Sequence, residues 1–325
     1  MSCVNKRTMS GKPLFGYMQR VASRHVEPMS CMSRANVSLC GVSGKWPSML
    51  TRESDSILDL DLSDLEESLD RARDLGHKTK WHFAVGFKPK WVPAEGYSLA
   101  YQTKRIEDNL AYIDTVMREL GHKIDIVDAI NEPLQPDGSG FRHSPNHDKI
   151  TVEEIATYLK YIDAHPCRKT NLQIGINEYG VERNGLKQDT LYQLCLQLRD
   201  ELDAPLDYVG MQCHLDAADP PNRDELQQSF QRFADAGFAV HITELDIRVA
   251  GVDAYKLRRQ EEVAEDLLVA ARRAGVHYVI TWGTTDNDSW IYAKHGIDYP
   301  DEQPLPYNVQ NAPKPFGQAL EAHTR

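Results

Sequence analysis

Residues 125–135 read DIVDAINEPLQ, a run suited to a buried strand that ends on Asn131, Glu132 and Pro133. A strand that stops on an amide, a carboxylate and a proline has polar groups to present at its tip. Pro133 also disfavours the helical region for Glu132, so a bend there lets both Asn131 and Glu132 face the same way, which a regular strand forbids.

The neighbouring segments repeat one rhythm. LFGYMQ at 14–19 and NVSLCGV at 36–42 read as buried strands. Leu62, Leu65, Leu69 and Ala72 fall at three- and four-residue steps and Gly76 ends the pattern, which predicts a helix over 62–75. A strand near 78–85, a helix near 100–119, the opening strand at 124–131 and a helix near 151–163 come next. Strands near 171–177, 208–214, 239–245 and 278–282 are then separated by helices near 187–201, 224–236 and 254–274, and a last helix starts after Pro315. Eight strands, mostly followed by helices, predict an α/β fold of the (β/α)8 TIM-barrel type. An open doubly wound sheet is the competitor, but no G-x-G-x-x-G follows the first strand. There are no internal repeats. The biased segment SDSILDLDLSDLEESLD at 54–70 leads into a helix, and the chain reads as one domain: an N-terminal extension over 1–13 and a barrel over 14–325.

Composition narrows the function. The 325 residues are 41% hydrophobic and 26% charged, with room for a sizeable core. A net charge of −11 opposes nucleic-acid binding, and no segment reads as a membrane span. The N-terminus lacks a signal-peptide core, so the chain reads as cytoplasmic, and as secreted only if a leader has been removed. Cys3, Cys31, Cys40, Cys167, Cys195 and Cys213 have neither C-x-x-C nor dense spacing and read as reduced thiols.

In such a barrel the strand ends face one mouth. Asn131 and Glu132 end the fourth strand, Gln212 and His214 the sixth, Glu244 the seventh and Trp282 the eighth. Alternation puts Gly210, Gln212 and His214 on one face, and Val240, Ile242 and Glu244 on one face of the seventh strand. Singly, each residue has an ordinary explanation: a strand-to-loop exit, a Glu244–Arg248 ion pair, a packing tryptophan. Jointly, two glutamates at one mouth fit glycoside hydrolysis, in which one carboxyl protonates the leaving oxygen while the other attacks or activates water. No metal or other cofactor is expected. There is no H-E-x-x-H, and His241, on a strand like His82 and His214, has the parity opposite Glu244. A serine nucleophile lacks its G-x-S-x-G elbow.

DAINEP resembles the acid/base motif of glycoside hydrolase family 10, the xylanases, and ITELDI its nucleophile motif. LDYVGMQCHL is similar to the family's Gly-x-Gln-x-His strand, LQIGINEYGVE to its Asn-Asp-Tyr segment, and VITWGTTDNDSWI to its last strand. These motifs run in family order from about Leu14 to Leu320. The resemblance implies Glu132 as acid/base and Glu244 as nucleophile, with Asn131 on the sugar 2-hydroxyl and Gln212 and His214 beside the nucleophile. Trp282 and Trp290 would shape the subsite of the sugar being cleaved, −1, and Lys45, His82 and Tyr179 would also bind substrate. For the third strand a gapless register matches His82 to the family's first histidine and leaves Lys78 and Lys80 near the strand's start, within reach of water. The implied activity is retaining hydrolysis of β-1,4-xylosidic bonds in a xylo-oligosaccharide or β-xyloside; the alternatives are a different β-linked sugar or a barrel that binds carbohydrate without turnover. Retention requires Glu244 ionised and Glu132 protonated, which proximity and hydrogen bonding to Glu244 would supply.

The departures from the family are concentrated at one point. Its Glu-Asn pair for the next sugar outward, subsite −2, stands here as Gly41-Val42, and its third-strand Trp-His as Gly86-Phe87. The acid motif begins Val127-Asp128 where the family has Trp-Asp. A preference for short or specialised β-glycosides follows as an expectation.

Overall fold

In a computed structural model the described residues are 12–19, 35–41, 43–49, 59–86, 99–143, 150–249, 253–291 and 302–324. Residues 1–11 of the N-terminal extension, Cys3, Cys31, Val42, 54–58 of the acidic run, and Phe87, Lys88 and Lys90 lie outside them. Eight parallel strands close a barrel: β1 Leu14–Gln19, β2 Val37–Cys40, β3 Lys78–Val85, β4 Ile126–Asn131, β5 Gln173–Glu178, β6 Tyr208–Met211, β7 Ala239–Arg248 and β8 Tyr278–Thr281. Each pairs with its sequence neighbour, and β1 pairs with β8 to shut the ring. A three-residue strand, His214–Asp216, continues β6 beyond Cys213 and pairs with the far half of β7.

The longer helices among the described residues are α1 Ser63–Asp74, α2 Leu99–Leu120, α3 Val152–Ala164, α4 Leu186–Leu196, α5 Arg223–Asp235, α6 Ala254–Arg273 and α7 Pro315–His323. Their apolar stripes meet the outer faces of the strands: Leu65, Leu69 and Ala72 of α1 are buried, and Gly76 leaves that helix with φ +73°. Thr151 and Glu154 form a reciprocal capping box on α3, and Asn222 and Asp253 cap α5 and α6. No described helix is long and apolar enough to cross a membrane.

Inside the ring, Met18, Val37, Leu39, Ile126, Tyr208, Tyr278, Ile280 and Trp282 form a second, smaller core. Lys80 belongs to this interior, contrary to the expectation that its ammonium reaches water. It is fully buried, with Nζ 2.9 Å from Asp128 Oδ1. The strand covers KTKWHFAV as expected, but of the two lysines Lys78 alone sits at the wet end. Lys80 stays inside because Asp128 neutralises it, and Tyr208 donates a 2.7 Å hydrogen bond to the same carboxylate oxygen.

The parity expected for β7 is also corrected. Val240 and Ile242 pack outward against the helix layer, whereas His241 stacks on Tyr208 within the barrel, ring centroids 4.2 Å apart. An irregularity in the β7–β8 register between Ile242 and Leu245 inserts an extra residue and turns Glu244 to the mouth. His241 and Glu244 therefore both face inward, at different heights. A similar shift in β4, between Asp128 and Ile130, resets the face on which Asn131 emerges.

Candidate active site

The tip of β4 bends as its sequence predicts. Glu132 has φ +53°, and its N–H donates to Asn177 O at 2.8 Å, so the chain turns while Asn131 and Glu132 both reach the mouth. Beyond β6, Cys213 has φ +56°, and Gln212 and His214 on either side of it both point at carboxylates. Gln212 Nε2 donates to Glu132 Oε1 at 3.1 Å, and Arg142, returning from the loop after β4, pairs with Glu132 Oε2.

Glu244 is enclosed by donors. Asn177 Nδ2 lies 2.6 Å from its Oε1 and 2.9 Å from Asn131 Oδ1. His82 Nε2 lies 3.7 Å from Oε1, and His214 Nε2 lies 3.4 Å from Oε2. Burial is the largest influence on this carboxyl and pushes its pKa up; the charge of His82, the hydrogen bond and charge of His214 and the charge of Lys45 together outweigh it and leave the pKa below the ordinary value of 4.5. Arg248, the alternative partner weighed from sequence, turns to Glu302 at 2.6 Å instead.

Each histidine is held from behind by an aspartate. His82 Nδ1 lies 2.8 Å from Asp128 Oδ2, and His214 Nδ1 lies 2.9 Å from Asp246 Oδ2. Burial depresses the His214 pKa most, but Asp246 and Glu244 reverse that and raise it well above 6.5. Trp290 Nε1 donates to Asp246 Oδ2 at 2.8 Å, and its ring meets His214 edge-on at 5.4 Å. Trp282 lies between the two histidines, 5.2 Å from His82 and 6.3 Å from His214, with Lys45 Nζ 5.2 Å from its centroid. Tyr179 lies to the Glu132 side, its ring between Lys187 Nζ at 3.2 Å and the Arg142 guanidinium at 5.6 Å.

All ten residues singled out from the sequence thus lie around this mouth. Those not singled out are the ones behind or between them: Asn177, Asp128, Asp246, Arg142, Lys80, Glu178 and Lys187. Two carried a signal. Asp246 stands two residues after Glu244, and Asn177 stands two after Gly175, whose absent side chain leaves room for the Tyr208 ring inside the barrel. Among the described residues no group of three or more His, Cys, Asp or Glu side chains is arranged to hold a metal ion.

The sequence profile of glycosyl hydrolase family 10 matches residues 23–322. An endo-1,4-beta-xylanase of Agaricus bisporus is 29% identical over 248 residues, 75% of this chain and 69% of that protein. Endo-1,4-beta-xylanase B of Thermotoga neapolitana is 27% identical over 66% of this chain, which spans 60% of that relative's length. Endo-1,4-beta-xylanase A of Thermoanaerobacterium saccharolyticum, also 27% identical, is matched over 19% of its length. In fold, the chain superposes on xylanase 10B of Thermotoga petrophila RKU-1 in complex with xylobiose, with TM-score 0.81 and 20% identity over 96% of this chain and 93% of that one. It also superposes on TsXylA, an intracellular xylanase of Thermoanaerobacterium saccharolyticum, with TM-score 0.78 and 20% identity over 95% of each chain. The chain belongs to glycosyl hydrolase family 10 and is a glycoside hydrolase on a (β/α)8 barrel.

Proposed function

We propose that this chain is a retaining β-glycosidase of the xylanase type, with Glu244 as nucleophile and Glu132 as general acid/base. The observation that carries the reading is a pair of carboxylates at one mouth in unlike surroundings. The Glu244 side chain is 4% exposed among cationic and amide donors, whereas that of Glu132 is 13% exposed and faces Gln212 and Arg142. In the first step a Glu244 oxygen attacks the anomeric carbon, the glycosidic C–O bond breaks, and Glu132 gives its proton to the departing oxygen. A leaving sugar approaches Glu132 past Arg142, so that ion pair opens when the aglycone binds. In the second step water attacks the same carbon, Glu132 takes its proton, and the ester bond to Glu244 breaks. Two inversions leave the anomer unchanged. NMR during hydrolysis should show the β-anomer first; initial α-anomer removes the reading. A Glu244→Ala variant should lose turnover by orders of magnitude, and a chain that only binds sugar would have no turnover to lose.

The substrate we propose is a short or specialised β-xyloside with one sugar on the glycone side. Support comes from what occupies the places of the polar −2 side chains. A Cβ at Gly41 would lie 2.4 Å from Met18 Sδ, and one at Gly86 would lie 2.6 Å from the Phe83 ring. An apolar wall there removes two or three hydrogen bonds, each contributing about 0.5–1.5 kcal/mol when neutral, that would otherwise help position a longer chain. Xylo-oligosaccharides, aryl xylosides and polymeric xylan assayed side by side test this. Preference for the small substrates is expected, and rapid random cleavage of xylan with long products first would overturn it.

A further inference from the structure

The proposed reaction makes no direct use of a buried ion pair lying behind Glu132. Glu178, the last residue of β5, is fully buried, and Lys187 of α4 is 6% exposed, with Nζ 2.8 Å from Glu178 Oε1. Such a pair is a weak source of stability, because the cost of dehydrating two charges offsets most of their attraction. What it supplies is geometry. Glu178 Oε2 accepts the N–H of Leu134 at 3.0 Å, and Oε1 accepts the N–H of Tyr179 at 3.0 Å. Leu134 is 1% exposed, so without Glu178 its N–H would be buried and unsatisfied.

Leu134 lies two residues beyond Glu132, and the residue between them is Pro133, which has no N–H to offer. The left-handed turn at Glu132 is therefore pinned to the end of β5 on both sides: Glu132 N to Asn177 O, and Leu134 N to the Glu178 carboxylate. Lys187 completes the clamp. It donates to Tyr179 O at 2.7 Å and lies 3.2 Å from the centre of the Tyr179 ring, whose neighbour Arg142 pairs with the Glu132 carboxylate.

We propose that Glu178, locked by Lys187, is a positioning residue for Glu132: it aims the Glu132 carboxyl at the leaving oxygen by accepting the Leu134 N–H. The proposal rests on Glu132 being the acid/base. Burial drives the Glu178 pKa up to about 7 and Glu132 adds to the rise, while Lys187 and the Leu134 N–H oppose it and so favour the acceptor form.

Two double variants separate the acceptor from the charge. Glu178→Gln with Lys187→Met keeps an oxygen for Leu134 in a neutral site, and Glu178→Leu with Lys187→Met does not. Each is assayed on dinitrophenyl β-xyloside, whose leaving group needs no proton, and on xylobiose, whose leaving group does, at a temperature where circular dichroism shows both variants folded. The Leu/Met variant should lose roughly 10- to 100-fold in kcat/KM on xylobiose with kcat/KM on the activated substrate, which excludes the base-assisted second step, within about threefold of wild type, and the Gln/Met variant should restore most of the loss. Equal losses on both substrates, or no loss in Leu/Met, overturn the proposal. Amide exchange at Leu134 tests the clamp without turnover: the N–H should be protected in wild type and Gln/Met and fast in Leu/Met, and protection in Leu/Met also overturns it. If the wild type hydrolyses neither substrate, the acid/base reading of Glu132 is what fails, while amide exchange still decides the clamp.

Discussion

At the scale of single residues, the site depends on keeping one carboxylate ionised where burial opposes it. Glu244 is as buried as a core leucine, yet its pKa lies below 4.5 because His82, His214 and Lys45 oppose the cost of burial. The sign of a pH effect follows. Replacing His214 by Gln removes one of those cations and its charged hydrogen bond, so the Glu244 pKa rises. The acid limb of kcat/KM, which reports the free enzyme, should then move to higher pH while the basic limb changes less. An acid limb that stays in place would mean that His214 does not hold the ionised form.

At the scale of elements, the mouth is assembled where strands depart from regularity. Asn177 of β5 joins the two halves, its amide reaching Asn131 and Glu244 while its oxygen accepts from Thr243 Oγ1 at 2.5 Å. Gly210 on β6 makes this possible: a Cβ there would lie 2.6 Å from Asn177 Oδ1 and 2.9 Å from Thr243 Cγ2. A Gly210→Ala variant must displace Asn177. We expect a loss of roughly 10- to 100-fold in kcat against a stability cost of about 1–3 kcal/mol for overpacking, read by steady-state kinetics and urea denaturation on one preparation. Unchanged turnover would show that Asn177 can move without consequence.

At the scale of the whole molecule, the loop bearing Trp290 is tied to the C-terminus. Lys314, at the start of α7, reaches Asp286 at 3.0 Å and Gln303 O at 2.6 Å, and both charged side chains are buried. Burial raises the Asp286 pKa from 3.8 to about 6, with Lys314 opposing. A carboxyl that holds its proton more tightly when folded favours the folded state most at low pH, and that contribution is lost as pH rises from about 4 through 6. Lys314→Met leaves the carboxylate without its cation, so the variant should be about 3–5 kcal/mol less stable at neutral pH. Loss of the cation raises the Asp286 pKa further, so the gap should narrow as pH falls from 8 towards about 6, as urea midpoints at pH 5 and pH 8 will show. A gap that is constant or widens in acid would assign the pair no such role.

The alternation of strand and helix determined the barrel, because period and chain punctuation are local properties carried by the residues themselves. The tips of the strands, and with them Glu132, Glu244, Gln212 and His214, were legible for the same reason: topology alone sends them to one mouth. Tertiary structure decided which face each residue takes wherever a strand is irregular. The shift between Ile242 and Leu245 that turns Glu244 inward is set by hydrogen bonding to neighbouring strands, which a count of alternation along one strand cannot register. It also decided the fate of Lys80 and the links made by Asn177 and Glu178. A charge is kept in the interior, or a backbone N–H pinned, only by partners distant in sequence, and those meet when the ring closes.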